Sequence, residues 1–243
     1  MANRNESIMS VILNPHRFSV SGGGDTPAFG GASRNFDGTN DYINSANDVF
    51  KKESDEAFSV AFWVKGSDIL TSVLGTWDSG ASKGWTMGRR SSLGVVQGGF
   101  VNRTGSGGRL ARGSTTIPEN GTWLHLVMTY DGSASWSGFS FYNDGSAETV
   151  SPIADASDTY ADENDLIIGE WGGNFLNGNL ADLRFYDKEL TSAEVSSIYS
   201  GTHVSDGLVG WWLLDSDDTN DYSGNGYDAT NNGSTYSTDG PLD

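Results

Sequence analysis

Asp221, Ser223, Asn225 and Gly226 fall at the first, third, fifth and sixth places of "DYSGNGYDATNN", a spacing at which loop oxygens converge on one cation. Calcium takes about six to eight hard oxygen ligands, and Asp, Asn and Ser side chains supply them. The twelfth place, where a bidentate Glu would close such a loop, is Asn232, so the match is partial. Asp37, Asn40 and Asp41 in "FDGTNDYI" offer the same oxygen chemistry, with Asp182 placed to reach in from a neighbouring segment. The competing role in both sets is turn formation, in which Asx side chains bond their own backbone. Ca2+ is the cofactor these residues lead us to expect.

A second chemistry is stacking. Trp77 in "GTWDSG", Trp136 in "SASWSGF" and Trp171 in "GEWGGN" lie among Gly, Ser and Asp, where an indole face can stay open to a sugar ring, and Arg89 and Arg90 could add hydrogen bonds. Trp63, Trp123 and at least one of Trp211 and Trp212 lie in apolar, strand-like segments and are expected in the core.

Catalysis finds little to work with. A retaining glycosidase holds two carboxylates about 5 Å apart, which on a strand means acids two or four places apart. The nearest approach is Glu53-x-Asp55, which leads into Ala57 and Phe58 and lies ahead of the strand rather than on it. His16, His125 and His203 are scattered, and neither Gly-x-Ser-x-Gly nor His-Glu-x-x-His occurs. His125, in Trp-x-His, is expected to be a hydrogen-bonded core residue. The chain is not expected to be an enzyme.

Composition narrows the partners. The 243 residues carry 14 Lys and Arg against 32 Asp and Glu, a formal charge of -18 that repels phosphate backbones and argues against nucleic acid. Cysteine is absent, which removes disulfides and thiolate metal sites. The apolar run "IMSVIL" at 8–13 is too short for a membrane span or a signal-peptide core.

The elements that must position these residues are mostly strands. Short apolar segments alternate with turn residues at 58–66, 123–132, 138–146, 165–171 and 178–187, two of them closed by Asp-Gly. One helix is expected near 191–199, with Thr191 and Glu194 forming a capping box and Gly201 ending it. The fold class is all-β, two packed antiparallel sheets.

The ordered set "FGGASRNFDGTNDYI", "AFSVAFWVKG", "NGTWLHLVMTYDGS", "FYNDGS", "LIIG" and "FLNGNLADLRFYDKELTSAEVSSIY" resembles laminin-G-like, concanavalin A-like lectin-glucanase jelly rolls, a group similar also to pentraxins. The resemblance implies a jelly-roll sandwich, frequently calcium-stabilised, that binds glycans or proteins and often lacks catalysis. One departure is Ala181 before Asp182, where many relatives have two acids. A second is order: "GLVGWWLLDSDDTNDYSGNGYDATNNG" (207–233) resembles the family's opening segment yet stands near the end of this chain. Residues 29–243 are therefore expected to form one domain completed by 207–243, folded back or donated to a neighbour in a homo-oligomer. The TNDY shared by 39–42 and 219–222 reads as coincidence, because the flanks differ.

Residues 1–28 read as a Gly-rich arm whose Ile8, Val11, Ile12, Leu13, Phe18 and Val20 offer area for attachment. With no signal peptide expected, this suggests a non-catalytic surface binding and assembly module. Its place would be the surface of a particle such as a phage virion, held by a capsid protein through the arm and able to bind glycan. A stand-alone calcium-dependent lectin is the alternative, and a glycoside hydrolase the remote one.

Overall fold

Phe58, Val60, Phe62 and Val64 alternate with Ser59, Ala61 and Trp63 along one strand, and both sets are buried, so this strand must be covered on both faces. The computed structural model explains how. It describes residues 31–68, 73–76, 83–90, 93–102, 108–118, 120–156 and 164–241. The proposed arm at 1–28 and Trp77 lie outside these residues, as do the side chains of Arg89 and Arg90.

In chain order the first strands are β1 (Ser33–Asp37), β2 (Tyr42–Ser45), β3 (Phe58–Asp68), β4 (Leu74–Gly75), β5 (Lys83–Arg90) and β6 (Val95–Asn102). β7 (Arg109–Thr116), β8 (Leu124–Tyr130), β9 (Phe139–Asn143), β10 (Ser146–Ala147), β11 (Ser151–Asp155) and β12 (Leu166–Ile168) follow. β13 (Glu170–Trp171) and β14 (Asn174–Phe175) precede β15 (Asn177–Tyr186), helix α1 (Ser192–Tyr199), β16 (Leu208–Trp212), β17 (Thr230–Asn232) and β18 (Thr235–Ser237).

The first sheet runs β10-β9-β8-β3-β15-β1-β18, with β16 also on β15; the second runs β11-β7-β6-β5-β4-β12-β2-β17. All pairings given are antiparallel. Between the sheets lies an aromatic core in which Phe58 stacks on Phe185 at 5.8 Å and packs against Trp85, Phe100 and Tyr130. Trp85 satisfies its indole nitrogen by donating to the Phe50 carbonyl at 2.8 Å.

A second cluster covers the outward face of the first sheet, where Ala61, Val127, Tyr142 and Tyr186 pack under Val195 and Ile198 of α1. The helix starts at the capping box expected from sequence, with Thr191 accepting from the Glu194 amide. It ends where Gly201 takes φ +82° and the amides of Gly201 and Thr202 turn back to the Ile198 and Ser197 carbonyls.

The C-terminal segment lies inside the sandwich. β16 pairs β15, β17 pairs β2 and β18 pairs β1, so this one stretch adds to both sheets. Trp212 enters the main core, whereas Trp211 faces outward beside Arg184. Arg34, 2% exposed, pins the segment through the Ser216 and Ser234 carbonyls at 3.1 and 2.6 Å. A Cβ placed on Gly240 would stand 2.1 Å from the Gly31 carbonyl carbon, so the described ends of the domain touch.

Of the tryptophans expected in the core, Trp63 is buried at 7% exposure, against His125 and Tyr199 on the outward face of the first sheet. Trp123 is half-buried, with its indole N–H on Asp239 at 3.1 Å. His125 is fully buried, but neither ring nitrogen reaches a hydrogen-bond partner among the described residues, which corrects the hydrogen-bonded role expected for it. The sequence pattern showed a strand on each side but not the helix that covers their outward faces.

Candidate functional site

The two sheets share two ends, and the loops at one end gather several of the polar and aromatic residues singled out above. β12 leaves the second sheet at Ile168 and reaches the first sheet, at Asn177, through the β13–β14 hairpin. The hairpin is tied down on both sides. Gly169 donates to the Val73 carbonyl at 2.7 Å, Leu176 donates to the Gly169 carbonyl at 2.8 Å, and Gly38 donates to the Leu176 carbonyl at 2.9 Å. At its tip Gly172 and Gly173 take φ +58° and +83°, a turn that β-branched or bulky residues would strain. The Glu170 carboxylate accepts from the Gly173 amide at 2.6 Å, and the Asn174 amide donates to the Trp171 carbonyl at 3.2 Å. Trp171 is thereby held partly exposed on a braced strand, beside an exposed Asn174.

The turn at 37–41 abuts this hairpin. Asp37 accepts from the Thr39 amide at 2.8 Å, and Asp41 accepts from the Asp37 amide at 3.0 Å. Gly38, at φ +75°, brings the turn against Asn177 so closely that a Cβ would stand 2.9 Å from the Asn177 Cβ. β5 carries Arg89 and Arg90 toward the same end, since Met87 pairs Leu74 and the strand runs on from there. The end thus combines an indole, a primary amide and carboxylates on hydrogen-bonded turns, a set that stacks on and hydrogen-bonds a hydroxyl-rich ligand.

Trp136 is not part of this group. It lies in the turn between β8 and β9 at the opposite end, where its amide donates to Asp155 at 3.2 Å and its ring packs, half-buried, against the main core. Sequence reading treated Trp136 and Trp171 alike because both sit among small polar residues. The strand directions separate them. The reading also passed over Glu170 and Asn174, although "EWGGN" carried the hairpin signal in its Gly-Gly pair.

The oxygen sets expected for calcium do not assemble into one centre. Asp182 sits in a bulge of β15 at φ +49°, 2% exposed, and its carboxylate takes two bonds from Arg184, both 2.9 Å, and one from the Trp211 indole at 2.7 Å. The guanidinium fills the role of counter-cation and stacks on Trp211 at 4.7 Å. Asp221 accepts from the amides of Trp211, Ser223 and Tyr227 and from the Ser223 hydroxyl, while Asn225 donates to the Val209 carbonyl. These bonds fold a turn over β16. Asp37 and Asp41 serve the turn described above, with Asn40 between them. Among the described residues, no group of three or more His, Asp or Glu is arranged to hold a metal. In each of the two sets the carboxylates accept from the protein's own donors.

Chelation is accordingly expected to leave the melting temperature within about one degree of its value in calcium. A site filled at a hundred times its Kd would add about 2.7 kcal/mol, worth roughly 5 to 10 °C in a domain of this size. A melting curve that drops by that much in chelator would reinstate the ion.

An all-β sandwich with a braced aromatic hairpin at one end defines the class: a lectin-like jelly roll. The chain belongs to the concanavalin A-like lectin/glucanases superfamily (Laminin_G_3), whose profile matches residues 37–196. Among solved structures it is similar to a candidate carbohydrate-binding protein of Bacteroides ovatus, with 19% identity and TM-score 0.63 over 86% of this chain. This chain spans 60% of that protein's length. The heptameric SAP-like pentraxin of Limulus polyphemus matches at 16% identity and TM-score 0.57, over 85% of this chain and 94% of the pentraxin. The sialidase CBM40 of Ruminococcus gnavus, bound to α2,3-sialyllactose, matches at 12% identity and TM-score 0.52, over 69% of this chain and 96% of the module. No curated protein sequence matches the chain.

Proposed function

We propose that this domain is a non-catalytic glycan-binding module and that a sugar ring stacks on Trp171. The observation that carries this reading is the hairpin itself: hydrogen bonds on both flanks fix the backbone around a half-buried Trp171, whose indole nitrogen points inward, with Asn174 and Glu170 beside it. A surface that presents a rigid aromatic at little entropic cost is suited to binding. The names of the Bacteroides and Ruminococcus structures support the same class of ligand. Glu53 and Asp55, the nearest approach to a catalytic pair, fall in the turn ahead of β3, and the proposal includes neither hydrolysis nor calcium. Display of such a module on a particle such as a virion, through residues 1–28, rests on the sequence of that segment alone.

On a glycan array, the wild-type protein is expected to retain at least one glycan, and Trp171→Ala to weaken that binding by about 1 to 2 kcal/mol, roughly tenfold. Its melting temperature should stay unchanged, because the side chain lies outside both buried clusters. An array that retains nothing would remove glycan binding from the account.

A further inference from the structure

The outward face of the first sheet carries a second aromatic strip that neither the sequence motifs nor the hairpin accounts for. Trp63 pairs His125 across β3 and β8, and two places further on Lys65 lies over the Trp123 ring, 5.9 Å from its centroid. Tyr199, from the last turn of α1, stacks on Trp63 at 5.6 Å and 26° and is itself 37% exposed. The far side of the strip is closed by Asp239, which accepts from Lys65 at 2.5 Å and from the Trp123 indole at 3.1 Å. The Lys65 and Asp239 side chains remain 25% and 44% exposed. Burial raises the Asp239 carboxyl, but the bonds from Lys65 and Trp123 outweigh it and hold the group below its usual range, so it is an ionised acceptor at neutral pH.

β3 leads from this strip to the base of the hairpin. Asn177, where the hairpin enters β15, pairs Asp37 on one side and Asp68 on the other, and three residues back along β3 stands Lys65. At strand spacing that is about 10 Å. A ligand reaching from Trp171 to Tyr199 would cross the base of the hairpin and follow β3 and β8 to the helix. Fixed rings with a charged, hydrogen-bonding pair between them suit stacked sugars whose hydroxyls meet Asp239 and Lys65. The pair carries no net charge, and a chain of -18 repels polyanions.

We propose that Trp123, Tyr199 and the Lys65–Asp239 pair form further sugar subsites continuous with the Trp171 hairpin, so that the ligand is an extended neutral glycan chain rather than a single terminal sugar. This rests on the glycan-binding reading above. The competing role of the Asp239 contacts is to anchor the C-terminal tail, whose Asp239 carbonyl also accepts from the Ser33 hydroxyl at 2.5 Å. Tyr199 makes none of these contacts, so it separates the two roles.

The test is calorimetric titration with two-sugar and six-sugar fragments of the neutral glycan that the wild type retains most strongly on an array. The wild type is expected to bind the six-sugar fragment at least tenfold more tightly than the two-sugar one. Tyr199→Ala and Trp123→Ala should each remove most of that gain while leaving two-sugar binding intact, whereas Trp171→Ala should weaken both fragments. Melting curves accompany each variant, and Tyr199→Ala decides the matter alone if Trp123→Ala loosens the tail. Equal affinity for the two fragments, or a gain that survives Tyr199→Ala while Trp171→Ala still weakens binding, overturns the extended site and leaves the hairpin site standing. A wild type that retains only anionic glycans also overturns the extended site. One that retains none removes both readings.

Discussion

Removing residues 207–243 is expected to leave a chain that is insoluble or molten, with no cooperative melting transition. Trp212 and Leu214, 0% and 2% exposed, pack in the main core, and burying two such side chains is worth about 3 to 6 kcal/mol. Whole domains are stable by only about 5 to 15 kcal/mol. The deletion does more than empty a slot. It takes β18 from β1, β17 from β2 and β16 from β15, opening edges in both sheets, and open edges invite aggregation. It also strips Asp182 of the Trp211 indole and Arg34 of its carbonyl partners, leaving buried polar groups without bonds. A companion variant with 207–243 moved ahead of residue 25 should keep these pairings, because Gly31 and Gly240 already touch. It is expected to melt within a few degrees of the original and to have the same mass by light scattering. A soluble, well-dispersed NMR spectrum from the deletion protein would show that the segment is dispensable.

The second large effect is expected in acid. Burial pushes the His125 imidazole down to about 3, with Asp182 opposing and Arg184 reinforcing the shift. The groups that face it are Asp182 and Arg184 on β15, Trp63 on β3 and Tyr199 on α1, while Asp144 accepts from the His125 backbone amide. The native state holds this imidazole neutral, while in the unfolded chain it takes a proton near pH 6.5. The unfolded state therefore binds more protons between about pH 6.5 and 3. The stability associated with the neutral ring is fully present above 6.5 and falls by about 1.4 kcal/mol per pH unit below it, reaching about 5 kcal/mol near pH 3. Denaturant midpoints measured from pH 7.5 to 4 should fall accordingly. His125→Leu removes the titrating group without removing a hydrogen bond, because neither nitrogen has a partner among the described residues. It is expected to flatten that fall. An equally steep fall in His125→Leu would assign the acid sensitivity to other groups.

Much of the scaffold was legible locally. The near-continuous apolar run through 58–66, the Asp144–Gly145 turn and the capping box from Thr191 to Glu194 each depend on residues a few places apart, and each formed as expected. The family resemblance set the two-sheet architecture for the same reason: strand patterns and turn residues are short-range signals, and their order along the chain is a long one. The two TNDY copies also came apart as their flanks implied, 39–42 entering β2 and 219–222 crossing a loop over β16.

Tertiary structure decided the rest, because strand periodicity separates two faces without saying what covers either. Trp211 and Trp212 are neighbours in sequence, yet one meets Arg184 outside the sheet and the other the aromatic core. Trp63 is buried as its segment implied, but the residue that covers it, Tyr199, comes from α1, more than a hundred residues away in sequence. Asp182 looked like a cation ligand. The bulge that turns it onto Arg184 depends on β3 and β16 meeting β15 on opposite sides of Ala181 and Arg184. The residues that meet at the hairpin end come from segments 37–41, 73 and 169–177, which no window of sequence brings together. Only the strand directions in two packed sheets could set Trp171 at that end and Trp136 at the other, since an antiparallel pairing sends consecutive loops to opposite ends of the sandwich.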